Sequence, residues 1–126
     1  MNKKQQLEKL NELILELRIT KAIIIVEGKK DQRALKQLRI NSITLKKPLY
    51  QLVEEIAEKH TPCIILTDLD SEGRKLYRIL RNNIEKYKIK VNNKFRNFLM
   101  KNTDLSQIEG LITYMEHLKT PQYHKK

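Results

Sequence analysis

The sequence predicts an α/β fold in which helices flank a four-stranded parallel sheet. Apolar residues change along the chain between a helical period and short continuous runs, which is the main signal of secondary structure. Two such runs, residues 22–26 and 63–67, end directly at acidic residues. Runs of this kind are typical of strands covered on both faces, and their alternation with helices favours right-handed parallel crossovers.

The first half of the chain is predicted to contain three helices and two strands. Leu7, Leu10, Ile14 and Leu17 recur at helical spacing, which predicts an amphipathic N-terminal helix over residues 3–17. The following elements are a strand over 22–26, a short helix over 31–39, a short strand over 42–45, and a helix from Pro48 to about His60.

The second half is predicted to add two strands and three helices to one domain. These are a strand over 63–67, a helix over 71–86, an edge strand around 89–91, a short helix around 95–99, and a helix over about 105–118 whose capping box would pair Asp104 with Gln107. The two most apolar strands should be central, which gives the order 2-1-3-4. The domain therefore spans 1–126, with a core over about 21–118 and a frayed tail over 120–126.

Length and composition restrict the class of protein. A chain of 126 residues with 40% hydrophobic and 33% charged residues suits one folded, soluble domain. No apolar run approaches the roughly 20 residues that cross a bilayer, and no signal peptide is evident. A single cysteine, Cys63, excludes an internal disulfide framework and a cysteine-rich zinc site. We therefore expect a cytoplasmic protein without a membrane partner.

The net charge of +11 favours a polyanionic partner, most simply RNA or DNA. Between Ser71 and Lys101, ten basic residues stand against two acidic ones, so this stretch carries +8 of the total. The alternative is a lysine-rich chain whose helices simply expose solvated charges.

Three acidic residues from two distant segments form the candidate chemical site. Glu27 follows the first predicted strand, and Asp68 and Asp70 follow the third, so the topology brings them to one edge of the sheet. Carboxylate oxygens without histidine or thiolate suit Mg²⁺, or Mn²⁺ in its place. Glu27 could also exchange a proton with the attacking or leaving group. The alternative for Asp70 is a helix N-cap.

Basic residues flank these acids. Lys29 and Lys30 follow Glu27 directly and could hold phosphates. Arg74, Arg78 and Arg81 fall at i, i+4 and i+7, which gives one stripe of a helix that could follow a phosphate backbone. The alternative is that both groups are exposed turn and helix residues with no ligand.

Two segments carry a family resemblance. VEGKKD (residues 26–31) and ILTDLDSEGRKL (residues 65–76) resemble the Toprim domain of topoisomerases, bacterial primases, OLD-family nucleases and the maturase of 5S ribosomal RNA. KPLYQLVEEIAE (47–58) and IEGL (108–111) resemble the small stand-alone Toprim proteins of archaea and some bacteria. The resemblance implies a compact, Rossmann-like fold and Mg²⁺-dependent phosphodiester chemistry. It also implies that Glu27 acts as acid or base and that Asp68 and Asp70 bind the metal.

Three functions are consistent with these observations. The first is a minimal Mg²⁺-dependent nuclease or nucleotidyl-transfer enzyme, acting in RNA processing or DNA repair. The second is a non-catalytic module that binds nucleic acid and recruits a partner protein. The third is a phosphatase of the haloacid dehalogenase type, because DLDSE (68–72) contains an Asp-x-Asp pair, although it follows the third strand. Arg74 stands where type IA topoisomerases usually have a glutamate, which departs from that branch of the family.

Overall fold

The computed structural model describes residues 1–120; part of the predicted frayed tail, residues 121–126, lies outside them. The elements are α1 (Lys3–Ile19), β1 (Ile23–Val26), α2 (Lys29–Gln37), β2 (Ile43–Thr44), α3 (Leu49–Lys59), β3 (Cys63–Leu66), α4 (Ser71–Glu85), α5 (Lys94–Asn102), a 3₁₀ turn (Ile108–Gly110) and α6 (Leu111–Lys119). No helix within residues 1–120 is long and apolar enough to cross a membrane.

The sheet is parallel and has the strand order β2-β1-β3. β1 pairs with β3 along its whole length, so that Val26 lies opposite Leu66, and β1 pairs with β2 on its other side. The α/β class and the central position of β1 are therefore confirmed, whereas β3 is an outer strand of this three-stranded sheet. Val26 and Leu66 are both final strand residues, so the residues that follow β1 and β3 lie side by side at the carboxyl ends of the strands. We call this end of the sheet the sheet edge.

The predicted fourth strand is wrong as a strand, although its place beside β3 is correct. Val91 makes one isolated parallel bridge to Cys63. The Cys63 N–H donates to the Lys90 carbonyl at 2.9 Å, and the Asn92 N–H donates to the Cys63 carbonyl at 2.8 Å. Lys88 has a left-handed conformation, with φ of 61°, and α5 begins at Lys94. The extended segment between them is too short to form a ladder.

Helices cover both faces of the sheet. On one face, α1, α2, α5 and α6 pack against Ile24, Val26, Ile64 and Leu66. On the other face, α3 and α4 pack against alternate strand residues such as Ile25 and Ile65. This alternation follows from the two-residue period of a strand. The α1 helix, whose role the sequence leaves open, is therefore part of the core.

The start of the last helix differs from the prediction. The Asp104–Gln107 capping box does not form, because the helix begins with the 3₁₀ turn at Ile108. The segment before it is held in another way. The Leu105 N–H donates to Thr103 Oγ1 at 3.1 Å, and the Ser106 carbonyl accepts from the Leu69 N–H at 2.8 Å. The chain before α6 is thus attached to the turn that follows β3.

Candidate metal and nucleic-acid site

The parallel order of β1 and β3 brings Glu27 and Asp68 into direct contact. Glu27 Oε2 accepts a hydrogen bond from the Asp68 N–H at 2.7 Å. Asp68 Oδ1 accepts another from the Ile108 N–H at 3.0 Å. The sequence prediction that acids from two distant segments meet at this edge is therefore correct for this pair.

Asp70 is the N-cap of α4, which was the alternative interpretation of this residue. Its Oδ1 accepts from the Gly73 N–H at 2.8 Å. Glu27, Asp68 and Asp70 thus each use one carboxylate oxygen for a backbone amide. Within the hydrogen bonds of residues 1–120, the second oxygen of each carboxylate has no donor.

The charges of the acids influence one another. Burial raises the pKa of Glu27, the hydrogen bond from Asp68 opposes that rise, and the neighbouring charges of Asp68, Asp31 and Asp70 raise it further. A carboxyl group whose pKa is raised by burial and by like charges is a common feature of functional sites.

Asp31 is a fourth acid of this edge that sequence reasoning left out of the site. It is only 7% exposed, and its Oδ2 accepts from the Gly28 N–H at 3.2 Å at the start of α2. Burial and the charge of Asp68 raise its pKa. The available signal was its position four residues after Glu27, in the motif VEGKKD.

The carboxylates supply suitable donors for Mg²⁺, but they are not assembled as a three-residue cluster. Within residues 1–120, no three His, Cys, Asp or Glu side chains are grouped so that they could hold a metal ion. Mg²⁺ in proteins is usually bound through one or two carboxylates, with waters and substrate phosphates as further ligands. The Glu27 and Asp68 carboxylates, whose residues are joined by the hydrogen bond from the Asp68 N–H, fit that smaller donor set. The ligand roles of Glu27, Asp68 and Asp70 stay predictions.

Arg96 is the main residue of this region that the sequence did not reveal. It is only 2% exposed, and its guanidinium donates to the Thr67 carbonyl and, at 2.9 Å, to the Asp68 carbonyl. It also lies over the Tyr77 ring, 4.5 Å from the centroid. Burial lowers the pKa of Arg96, whereas the charges of Tyr77, Glu27 and Asp68 raise it. The signal was its spacing of three residues from Leu99, which places both on the buried face of α5.

The turn between β3 and α4 is unusually close to the first turn of the helix. The Thr67 hydroxyl donates to the Gly73 carbonyl at 2.7 Å. A Cβ atom at Gly73 would lie 2.0 Å from the Asp68 carbonyl oxygen, so any other residue would collide with the backbone there. The backbone at Asp68 is therefore enclosed by Arg96 and by Gly73.

The predicted phosphate-binding residues divide into two groups. Lys29 and Lys30 are the exposed first residues of α2, next to Glu27. Arg74 and Arg78 are exposed in the first turns of α4, and neither forms an ion pair within residues 1–120. Burial is the main cause that lowers the pKa of Arg96, and the charge of Arg74 lowers it further, so Arg74 lies near the guanidinium that binds the Asp68 carbonyl.

Arg81 differs from the other two arginines of the stripe. It is half-buried, its Nε lies 3.4 Å from Glu85 Oε1, and its guanidinium lies 5.9 Å from the Tyr77 ring centroid. These contacts occupy the side chain locally, so Arg81 is less available to a phosphate than Arg74 or Arg78.

Comparison with known proteins agrees with this arrangement. A family model for the Toprim domain matches residues 22–101, which include Glu27, Asp68 and Asp70. The chain belongs to the Toprim family. Toprim domains typically bind metal ions in proteins that process nucleic acids.

Relatives of similar length extend the match beyond that segment. The UPF0292 protein MJ1624 of Methanocaldococcus jannaschii is 36% identical over 123 residues, covering 91% of this chain and 96% of the relative. A UPF0292 protein of Methanosarcina acetivorans is 34% identical over 127 residues, covering 93% and 87%. A solved structure of a protein from Aquifex aeolicus has a TM-score of 0.67 at 30% identity, covering 84% of this chain and 94% of that one. The resemblance to small stand-alone Toprim proteins is therefore confirmed.

Proposed function

We propose that this Toprim domain carries out Mg²⁺-dependent phosphodiester chemistry on nucleic acid, of the nuclease or RNA-processing type. The observation that carries the proposal is the hydrogen-bonded pair of Glu27 and Asp68 at the sheet edge, beside exposed cations. Membership of the Toprim family favours this function over that of a haloacid dehalogenase-type phosphatase.

The proposed metal ligands are the carboxylate oxygens that backbone amides leave free. Asp68 Oδ2 and Glu27 Oε1 would hold the ion, with Asp70 Oδ2 as a further oxygen at the same edge. When bound there, Mg²⁺ would polarise a phosphoryl oxygen and stabilise charge on the leaving oxygen. In the alternative role, Glu27 does not bind the metal and exchanges a proton through Oε1, because burial and the charges of neighbouring acids raise its pKa.

The proposed role of the cations is to position the phosphate backbone. Lys29 and Lys30 lie at the start of α2, and Arg74 and Arg78 lie in the first turns of α4. Both helices start just after the acids, so their cations lie around the Glu27–Asp68 pair. Contacts of this kind contribute binding that depends on salt and not on base sequence.

A second candidate is a non-catalytic module that binds nucleic acid and recruits a partner enzyme. One observation favours it: Asp70 is used as the N-cap of α4, which leaves only one of its carboxylate oxygens for a metal. A domain of this kind would bind nucleic acid through the same cations without cutting it.

The test is cleavage of end-labelled structured RNA, tRNA, duplex DNA and single-stranded DNA in Mg²⁺, Mn²⁺ or EDTA. The wild type is compared with Glu27→Gln and Asp68→Asn, which keep an acceptor for the amides bound in the structure. Glu58→Gln, an exposed residue near the end of α3, is the matched control. We expect metal-dependent cutting that is lost in the first two variants and retained in the control.

Two other results have defined meanings. Binding of nucleic acid without cutting by the wild type would favour the recruiting module. Cutting that persists in both Glu27→Gln and Asp68→Asn would refute the assignment of the site.

A further inference from the structure

We propose that Arg96 is a positioning residue for the candidate site, which holds the turn after β3 so that Asp68 faces Glu27. The inference rests on the proposed function where it concerns metal binding. Within residues 1–120, the guanidinium of Arg96 forms hydrogen bonds only to backbone carbonyls and lies over the Tyr77 ring, so Arg96 would act through Asp68 and not on substrate.

The guanidinium of Arg96 binds two backbone carbonyls at the same time. Its two terminal nitrogens donate to consecutive carbonyls, those of Thr67 and Asp68. Arginine presents several donors in one rigid plane, whereas the ammonium group of lysine is a compact charge that cannot reproduce this paired geometry. The two carbonyls belong to the chain between the end of β3 and the N-cap of α4.

Both peptide groups of Asp68 are consequently fixed. Its N–H donates to Glu27 Oε2, and its carbonyl accepts from Arg96. On the side of α4, the close approach of Gly73 restricts the movement of the same carbonyl. With both neighbouring peptide planes fixed, the direction of the Asp68 side chain is largely determined.

The burial of Arg96 argues against a role in packing alone. Burying a charged group is costly, and hydrophobic residues of similar volume often replace buried ion pairs without loss of stability. Arg96 is 2% exposed on the buried face of α5 with Phe95 and Leu99, where an apolar side chain would not carry the cost of burying a charge. A cation in this position is explained by the donors it supplies to the turn and by its charge near Glu27 and Asp68.

The test measures amide hydrogen exchange in Arg96→Lys, which keeps the charge and loses the paired geometry. We expect the Asp68 N–H to exchange at least tenfold faster than in the wild type, relative to the N–H of Ile65 in the core. Leu99→Ala is the matched control, because Leu99 is fully buried on the same helix and does not contact the turn through hydrogen bonds. It should accelerate core amides without a selective effect at Asp68.

Mn²⁺ affinity, measured by electron paramagnetic resonance, is the second readout. We expect Arg96→Lys to weaken Mn²⁺ binding about tenfold and Leu99→Ala to leave it unchanged under conditions in which both are folded. If Arg96→Lys fails to fold, Tyr77→Leu replaces it, since that change keeps the guanidinium but removes the ring on which it lies.

Unchanged relative exchange at Asp68 would overturn the inference. Selective exchange with unchanged Mn²⁺ affinity would overturn it as well, because the turn would then move without consequence for the site. If the wild type itself bound no Mn²⁺, the proposed function would fail, whereas faster exchange at Asp68 would still support Arg96 as the residue that fixes this turn.

Discussion

Replacement of Gly73 by alanine tests whether the first turn of α4 really packs against the backbone of Asp68. In the middle of a helix this change normally stabilises a protein by up to about 1 kcal/mol. Here the new Cβ would lie 2.0 Å from the Asp68 carbonyl oxygen, 2.4 Å from its carbon and 2.8 Å from its Cα. Ordinary contacts need about 3.5 Å, so the helix or the turn must move by about 1.5 Å.

That movement disturbs two hydrogen bonds of Gly73 as well as the packing. Its N–H is capped by Asp70 at 2.8 Å, and its carbonyl accepts from the buried Thr67 hydroxyl at 2.7 Å. A lost cap costs about 1 kcal/mol, a lost hydrogen bond about 1 kcal/mol, and overpacking about 1–3 kcal/mol. After the gain in helix propensity, we expect Gly73→Ala to lower the free energy of unfolding by about 3 kcal/mol.

The assay is urea and thermal unfolding followed by circular dichroism. A loss of that size should lower Tm by roughly 10 °C for a domain of this length. Gly110→Ala is the control, because the nearest atom to its new Cβ is the movable Leu105 Cδ1 at 3.3 Å. We expect it to change stability by less than about 1 kcal/mol. A Gly73→Ala protein as stable as the wild type would refute the close packing of α4 on the turn.

Three further predictions concern the charges and the thiol. Burial is the main cause that raises the pKa of Glu27 in the folded state, so the folded protein binds this proton more tightly than the unfolded chain does. The resulting gain in folding stability is fully present below about pH 4.5 and is lost as the pH rises through the folded pKa. Glu27→Gln should therefore be more stable than the wild type at pH 7 and equal to it near pH 4, as urea unfolding at both pH values will show. Arg78→Ala should weaken nucleic-acid binding and reduce the slope of log affinity against log salt concentration by about 1, whereas Arg81→Ala should have a smaller effect. Anisotropy titrations over a range of KCl concentrations measure both. Burial raises the pKa of the Cys63 thiol to about 11, so it should react with a thiol reagent at pH 8 only after unfolding; rapid labelling of the folded protein would contradict this.

Strands β1 and β3 could be predicted from the sequence because their signal is local. Continuous apolar runs need burial on both faces, and a parallel sheet covered by helices on both sides provides it. The alternation of Ile89 and Val91 was an equally local signal, but it reports only which side chains are buried. Ile89 is indeed buried, at 6% exposure. Whether its backbone forms a ladder depends on Lys88 and on the start of α5, which the alternation does not encode.

The site was predictable in position but not in detail, for a similar reason. Glu27 and Asp68 could be placed together because strand order fixes where strand ends meet. Arg96 could not be placed at the site in this way, because a buried arginine needs hydrogen-bond acceptors that come from elsewhere in the fold. Its acceptors, on Thr67 and Asp68, lie 29 and 28 residues away in sequence. Its spacing from Leu99 places it on the buried face of α5, but the sequence does not show which carbonyls would bind it there.

The hydrogen bonds of Asp68 give this residue a structural role as well as its proposed chemical one. Its carboxylate binds the Ile108 N–H, and the neighbouring Leu69 N–H binds the Ser106 carbonyl. Both partners lie beyond the segment 22–101 that matches the Toprim family model, so these bonds join that segment to the start of α6. Replacing Asp68 by alanine would leave the Ile108 N–H without its acceptor. A loss of activity could then reflect a displaced C-terminal segment. Asparagine retains an oxygen for the amide while removing the charge, so Asp68→Asn separates the chemistry of the carboxylate from its contribution to the fold.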